Sequence, residues 1–171
     1  MARFVFLWLA FAYGGSCVAQ VAQDCRIVEA KKIIGVREGP VNNRGPVVDT
    51  IIRYAGGKPG QAWCSYTMIY LWKKCKMARK GVNGMAMSWA KQEKRVSLRS
   101  SIKPTTVFTI YNKALGRIGH VGMVFATYPE EPFFQSFEGN INSRGDRESH
   151  RSRAGFLIRQ YDVCNGFFNW D

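Results

Sequence analysis

Cys64 stands where a glycine-marked turn at Gly60 passes into an apolar run that continues to Trp72. The run has the length of a helix, and the cysteine lies at its beginning. A thiol at a helix N-terminus lies against the positive end of the helix dipole, which favours the nucleophilic thiolate. We therefore predict that Cys64 is a nucleophile. The alternative is an inert core cysteine, because free cysteines are often simply buried.

A cysteine nucleophile commonly needs an imidazole base, and the sequence contains only His120 and His150. His150 lies in the charged stretch 148–153, which has no apolar residue to hold it, so we expect it on the surface. His120 follows Gly119 at the beginning of a predicted strand, so a sheet would hold the ring while neighbouring glycines leave room for a substrate. We predict that His120 is the general base, the alternative being a hydrogen-bonded sheet histidine.

Glu138 and Asn140 lie two residues apart on the next predicted strand, so regular alternation places both on one face. A carboxylate or amide there can accept a hydrogen bond from the second imidazole nitrogen, which fixes the tautomer and stabilises the imidazolium. We predict that Glu138 orients His120 and that Asn140 supports it. The alternatives are a surface salt-bridge partner for Glu138 and a turn residue for Asn140.

The elements that carry these residues follow from local patterns. Asp24 can cap a helix that runs to about residue 34, and Pro46 begins a second helix that ends at Gly56. The cysteine helix, from about residue 63 to 74, is apolar on most sides, which predicts a buried central helix. A short further helix is expected over 85–94.

After Pro104 the pattern changes to that of strands, which are predicted over 107–111, 119–126, 133–138 and 155–161. Helices followed by antiparallel strands indicate an α+β domain. Residues 142–153 are expected to form a mobile, basic loop.

Residues 1–19 combine a positive start, an apolar run and small residues near Ala19, which is typical of an export signal. Cleavage would release a soluble, periplasmic or secreted domain over 20–171. Residues 14–17 also loosely resemble a lipoprotein box, in which Cys17 would be lipidated. A third alternative is an uncleaved, buried N-terminal helix.

Beyond that segment the cysteines are Cys25, Cys64, Cys75 and Cys164, an even number in an oxidising compartment. If Cys64 is free, at most one bridge can form, and a bond from Cys25 to Cys164 would tie the first helix to the end of the chain. Cys75 lies about 16 Å along the helix from Cys64, so these two cannot bridge.

The chain has 25 Lys and Arg against 12 Asp and Glu, a formal net charge of +13. Such an excess favours polyanionic surroundings, which include nucleic acid, anionic lipid and an anionic bacterial envelope. Charge alone does not choose among them.

Three motifs occur in a fixed order: Gly60-x-x-Trp63-Cys64, Gly119-His120-Val121-Gly122 and Phe137-Glu138-Gly139-Asn140. In this order and spacing the chain, over about residues 30–162, resembles the CHAP amidohydrolase/peptidase family of papain-like enzymes that cleave peptidoglycan. The segment from Val36 to Pro46 is similar to the one that precedes the cysteine in many bacterial and phage members.

The resemblance implies a papain-like fold with Cys64 as nucleophile, His120 as general base and then acid, and Glu138 as the orienting group. Asn140 would support them, while Gln61 and Trp63 are the expected substrate- or oxyanion-binding residues. It implies an exported cysteine hydrolase, acting as an endopeptidase or an N-acetylmuramoyl-L-alanine amidase, with no metal or cofactor.

The implied partners are the peptidoglycan peptide and the anionic cell envelope, with no specific nucleic acid, and we expect a monomer. The membrane would be contacted only through a lipid on Cys17. The alternative function is a basic exported protein that binds an envelope or nucleic acid without turnover.

Two departures from the family pattern are expected to change the structure locally. Pro104-Thr105-Thr106 replaces a Gly-Asp turn, which predicts a rebuilt loop. Ser65, Tyr66 and Thr67 replace the usual alanines and phenylalanine, which predicts different packing and a different groove wall beside the thiol.

Overall fold

A computed structural model describes residues 24–77, 80–128, 130–142 and 151–171. The predicted export signal, His150 and most of the predicted mobile loop lie outside the described residues. Within the described ranges, no helix is both long enough and apolar enough to cross a membrane.

Three helices form the first half of the described chain: α1 (Cys25–Lys32), α2 (Pro46–Ala55) and α3 (Cys64–Lys74). The Asp24 side chain caps α1 by accepting from the Arg26 backbone N–H at 2.8 Å. Gly56 ends α2 in the left-handed conformation, with a φ of 95°, which a glycine adopts without steric cost. The predicted helix beginnings are confirmed, and α1 ends at Lys32, two residues earlier than expected.

The helix predicted over 85–94 is replaced by two short 3₁₀ turns, Ala86–Trp89 and Gln92–Lys94. Trp89 is fully buried, and its ring packs edge-on against Trp72 and Trp170. Just beyond, Arg95 forms a β-bridge with Phe168. These long-range contacts prevent a continuous helix, because one end of the segment is held in the core and the other at the sheet.

A five-stranded sheet forms the second half, with the strand order β4-β3-β2-β1-β5 and every neighbouring pair antiparallel. Its strands are β1 (Val107–Asn112), β2 (Arg117–Thr127), β3 (Phe133–Ile141), β4 (Arg153–Gln160) and β5 (Gly166–Phe168). The predicted α+β class is confirmed. The three-residue β5 was not predicted, because it is too short to show an alternating pattern.

The loop before β1, predicted to be rebuilt, is a turn in which Thr105 has a φ of 71°. A positive φ is unusual for a β-branched residue. The Thr105 N–H donates to the Val124 carbonyl at 2.7 Å, and Val124 donates back to Thr106 at 2.8 Å. The turn is therefore held by β2, the strand that carries His120.

Helix α3 is the buried centre of the fold, as predicted: eight of its eleven residues are buried. It lies between α2 and the face of the sheet formed by β2 and β3. Gly139 of β3 touches the Thr67 side chain of α3 so closely that a Cβ at Gly139 would overlap it. This close approach fixes the position of the cysteine helix relative to the strands.

The proposed bridge from Cys25 to Cys164 is wrong, because Cys25 is bonded to Cys75 and Cys164 is free. The start of α1 lies beside the end of α3, with the two Cα atoms 5.8 Å apart. The end of the chain is tied to this region by other means. Arg26 donates to Asp171 at 2.9 Å, and the Trp72 ring N–H donates to the Trp170 carbonyl at 3.2 Å.

Candidate active site

Cys64 is the first residue of α3 and is 5% exposed. No side chain caps this helix, so its first backbone N–H groups remain directed toward the region of the thiol. Burial alone raises the pKa of the thiol, but the hydrogen bond and charge of His120 and the N–H groups of Ser65 and Val121 outweigh it. The Cys64 pKa therefore lies below its ordinary value.

His120 lies on β2 with its side chain 21% exposed. Its Nε2 atom is 2.5 Å from Oε2 of Glu138, and the ring and the Cys64 thiol are near enough to shift the pKa of each other. Since Nε2 contacts the carboxylate, Nδ1 is the nitrogen left for the sulfur. Burial lowers the pKa of His120, but the bonds to Cys64 and Glu138 raise it to about 10. The imidazolium is thus strongly favoured.

Glu138 of β3 is completely buried, and both of its oxygens are engaged. Oε1 accepts from the Ser136 hydroxyl at 2.5 Å and from Arg159 Nε at 2.8 Å. Oε2 contacts His120 and accepts from an Arg159 Nη atom at 2.7 Å. Burial raises the pKa of Glu138, but the bonds from Arg159 and then His120 lower it to about 2. The carboxyl is therefore ionised throughout the ordinary pH range.

Gly122 makes room for this carboxylate. A Cβ at Gly122 would lie 2.6 Å from Cγ of Glu138 and 2.7 Å from Cζ of Phe108. We expected the glycines around His120 to leave space for a substrate. At Gly122 the space is instead filled by Glu138, which explains why the strand carries a glycine there.

The alternation predicted for Asn140 does not occur, because a bulge interrupts β3. Glu138 pairs with Gly155 and Ile141 with Arg153, so three steps on β3 match two on β4. Asn140 has a φ of 57°, and its Nδ2 donates to Oδ1 of Asn43 at 3.3 Å. The extra residue turns Asn140 away from the face of Glu138 and toward the loop before α2.

Trp63 and Gln61 occupy different surroundings. The Trp63 ring is fully buried and donates to Oε1 of Glu38 at 2.7 Å, so this side chain belongs to the core and only its backbone is left near the thiol. Gln61 is exposed, and its amide oxygen accepts from the Tyr66 hydroxyl at 2.8 Å and the Lys58 N–H at 2.7 Å. These two bonds fix the Gln61 amide in the loop before Cys64.

Ser65, Tyr66 and Thr67 are all buried, so these departures act through the packing of α3. The Ser65 hydroxyl donates to the Asn83 carbonyl at 2.5 Å and accepts from the Trp89 ring at 2.9 Å. Thr67 donates to the Trp63 carbonyl at 2.8 Å. These side chains hold α3 to neighbouring segments rather than face a substrate.

Tyr66 packs between Gly57 and Gly84, where Cβ atoms would overlap its ring. A cavity of about 280 Å³ adjoins Tyr66, with Ile69, Trp72 and Trp89 among its lining residues. Its lining contains neither Cys64 nor His120, so this cavity lies apart from the candidate active site.

Sequence patterns did not point to Ser136 and Arg159. Ser136 shares the face of Glu138 by simple alternation, so that contact was open to prediction. Arg159 reaches Glu138 only because of the β3–β4 register, which local patterns do not supply. Among the described residues, no group of three or more His, Cys, Asp or Glu side chains is placed to hold a metal ion.

No family model matches the sequence, and no curated protein matches it. A search of solved structures finds the crystal structure of a wild-type endolysin, LysIME-EF1, with a TM-score of 0.53 and 16% sequence identity. The match covers 84% of this chain and 62% of the endolysin chain. The two proteins therefore share a fold, and this chain spans less than two thirds of the length of the endolysin.

Proposed function

We propose that this protein is an exported cysteine hydrolase of the CHAP type that cleaves an amide bond in bacterial peptidoglycan. The observation that carries the proposal is the contact of His120 with Glu138 beside the Cys64 thiol, whose pKa His120 lowers, at an uncapped helix N-terminus. The fold shared with an endolysin supports the substrate class, because endolysins are peptidoglycan hydrolases. The protein would cleave this bond either as an endopeptidase or as an N-acetylmuramoyl-L-alanine amidase.

The reaction begins with the ion pair of Cys64 and His120. The thiolate attacks the amide carbonyl carbon, a C–S bond forms, and the carbonyl electrons move to the oxygen. Backbone N–H groups at the start of α3 stabilise the oxyanion, with the amide of Gln61 as a second donor. His120 then gives its proton to the leaving nitrogen as the C–N bond breaks, which leaves a thioester.

Hydrolysis of the thioester reverses the role of His120. The neutral imidazole takes a proton from water, and the hydroxide attacks the thioester carbonyl. The C–S bond breaks, the carboxylic acid product leaves and loses its proton to solvent, and the Cys64 thiolate and His120 imidazolium are restored. Glu138 stays ionised and holds Nε2–H, so the other ring nitrogen always faces the sulfur.

A second candidate is a basic binding protein without turnover, which the net charge of +13 favours. Incubation with purified sacculi separates the two functions. Wild type is expected to release soluble fragments and Cys64→Ala to release none. Cys164→Ala removes the second free cysteine of the described residues and is the matched control, expected to behave as wild type.

Equal release by wild type and Cys64→Ala, or no release by either, would contradict the enzyme and leave the binding protein. Co-sedimentation of Cys64→Ala with sacculi then measures binding alone, which salt should weaken. Mass analysis of the fragments identifies the bond: a new amino terminus within the peptide indicates an endopeptidase, and a free lactyl group on the sugar indicates an amidase.

Export is part of the proposal and has its own test. The mature protein isolated from the producing cells should begin at Gln20, or at a lipid-modified Cys17. Recovery of the protein from the cytoplasm with Met1 intact would contradict export. The disulfide between Cys25 and Cys75 supports an oxidising compartment.

A further inference from the structure

We propose that Arg159 is a positioning residue which, together with Ser136, locks Glu138 in its ionised form and aims it at His120. The inference rests on the Cys64–His120–Glu138 arrangement of the proposed function. It concerns what keeps that arrangement intact as pH falls, which the three residues alone do not explain.

The geometry is that of a two-pronged clamp. Arg159 donates from Nε to one oxygen of Glu138 at 2.8 Å and from Nη to the other at 2.7 Å. Such a planar pair fixes the rotation of the carboxylate as well as its charge. The Ser136 hydroxyl adds a third donor at 2.5 Å to the oxygen that does not touch His120. The donors of Arg159 and Ser136 thus fix the orientation of the Glu138 carboxylate toward His120.

Glu138 needs a cationic partner to stay ionised because it is completely buried. A buried carboxylate without a cation takes up a proton, and a protonated Glu138 would lose the charge that stabilises the imidazolium. His120 cannot supply that cation at every stage, because it becomes neutral during the proposed reaction. Arg159 stays charged throughout, and its side chain is 27% exposed, so the charge keeps partial contact with water.

The charged and titratable groups around Glu138 come from four elements. His120 lies on β2 and Arg159 on β4, Cys64 lies behind His120 on α3, and Cys164 follows β4. Burial raises the pKa of Cys164 to about 12, so this thiol is neutral and does not replace the cation. Arg159 is therefore the permanent positive charge in contact with Glu138 among the described residues.

Alkylation of Cys64 by iodoacetamide tests the inference without a cell-wall substrate. The rate follows the thiolate fraction, which depends on the imidazolium and therefore on Glu138. In Arg159→Gln the acid limb of the rate–pH profile should move up by about one pH unit, which makes alkylation near pH 5 about tenfold slower. Near pH 8 the rate should stay within about threefold of wild type, because there Glu138 is ionised in both proteins.

Arg95→Gln is the matched control, because it makes the same chemical change at an exposed arginine whose side chain donates to the Asn165 carbonyl. Its profile should superimpose on that of wild type. Arg159→Lys keeps the charge but loses the two-pronged geometry, so its limb should move by less than that of Arg159→Gln. If Arg159→Gln does not fold, Arg159→Lys and Ser136→Ala carry the test.

The pH 5 to pH 8 rate ratio is taken on one preparation of folded protein, so a lower melting temperature alone does not change it. A double-mutant cycle with Glu138→Gln completes the test: once the carboxylate is gone, Arg159→Gln should cause no further slowing at pH 5. An Arg159→Gln profile that superimposes on wild type, or losses that multiply in the double variant, would overturn the inference. The expected shift of the Arg159→Gln profile, together with sacculi from which wild type releases no fragments, would instead reject the substrate and leave the role of Arg159 intact.

Discussion

The fold buries two glutamates, one on the sheet and one in a loop, and their carboxylates have different hydrogen-bond partners. Glu138, on the sheet side, is fully buried and has donors on both oxygens, from Ser136, Arg159 and His120. Glu38, on the loop side, is 8% exposed and accepts from the Trp63 ring through Oε1. Its Oε2 atom is buried and has no hydrogen-bond partner among the described residues.

These different partners indicate different roles: Glu138 maintains a negative charge beside His120, whereas Glu38 holds its loop in place. Full pairing makes the Glu138 carboxylate depend on its partners, so removing any of them leaves a buried charge uncompensated. Glu38 uses one oxygen, and its segment is also held by backbone bonds such as Glu38 N–H to the Ser152 carbonyl at 2.9 Å. An amide can replace a carboxylate in that role. A single substitution should therefore lower the free energy of unfolding more at Glu138 than at Glu38.

Glu138→Gln is expected to have the largest effect on activity. The amide cannot stabilise the imidazolium, and Arg159 loses its counter-ion, so hydrolysis should fall on the order of 10²- to 10³-fold. Unfolding should become easier by about 3 kcal/mol, the cost of breaking a buried pair. Fragment release from sacculi and denaturant unfolding measure the two effects. Activity within threefold of wild type would remove Glu138 from the proposed triad.

Loss of the Cys25–Cys75 disulfide is expected to have the next largest effect, and it should lower stability alone. The bond closes a loop over a sequence separation of 50 residues, which corresponds to about 4 kcal/mol from restriction of the unfolded chain. Cys25→Ser/Cys75→Ser should show this loss in urea unfolding, while Cys64 alkylation at 25 °C is unchanged in the folded protein. Slower alkylation of the folded variant would mean that the bond also positions the thiol.

The pH dependence of stability should carry the signature of Glu138 and His120. The lowered pKa of Glu138, about 2 against an ordinary 4.5, means that the unfolded chain binds more protons in that window. Stability is therefore lost as pH falls from 4.5 to 2. The raised pKa of His120, about 10 against 6.5, removes stability as pH rises from 6.5 to 10.

The contribution of the pair is thus complete between about pH 4.5 and 6.5, and urea unfolding at a series of pH values measures it. Glu138→Gln should flatten the acid flank. An acid flank of full height in Glu138→Gln would assign it to other carboxylates.

Glu38→Gln should have the smallest effect. The amide oxygen can still accept from Trp63, and the buried atom without a partner becomes an amide nitrogen, so one unsatisfied group replaces another. The free energy of unfolding should change by about 1 kcal/mol or less. Thermal unfolding checks this, with Glu38→Leu as the variant that removes the Trp63 bond. A loss of unfolding free energy as large as that of Glu138→Gln would contradict the proposed difference between the two glutamates.

Much of the arrangement was open to prediction from short stretches of sequence. The cap at Asp24, the proline that begins α2 and the start of α3 at Cys64 are local signals, and the structure has them at or within one residue of the expected positions. His120 and Glu138 were placed on neighbouring strands by alternation and order alone, and they contact each other. Each of these depends on residues close together in the chain.

The features that the sequence did not predict have a common cause. The Cys25–Cys75 bond depends on how α1 lies against α3, and the Asn140 contact with Asn43 depends on a bulge that alternation does not anticipate. Arg159 meets Glu138 through the register between β3 and β4. No window of sequence contains these pairs.

By itself, then, the sequence determined the α+β class, the helix that begins with Cys64, and the identity of the histidine and glutamate that accompany it. Only the tertiary structure decided which cysteines bond, where Asn140 turns, and that Arg159 and Ser136 complete the surroundings of Glu138. The physical reason is range: capping, turn and alternation preferences act over a few residues, whereas register, bulges and helix packing are settled by contacts between distant segments.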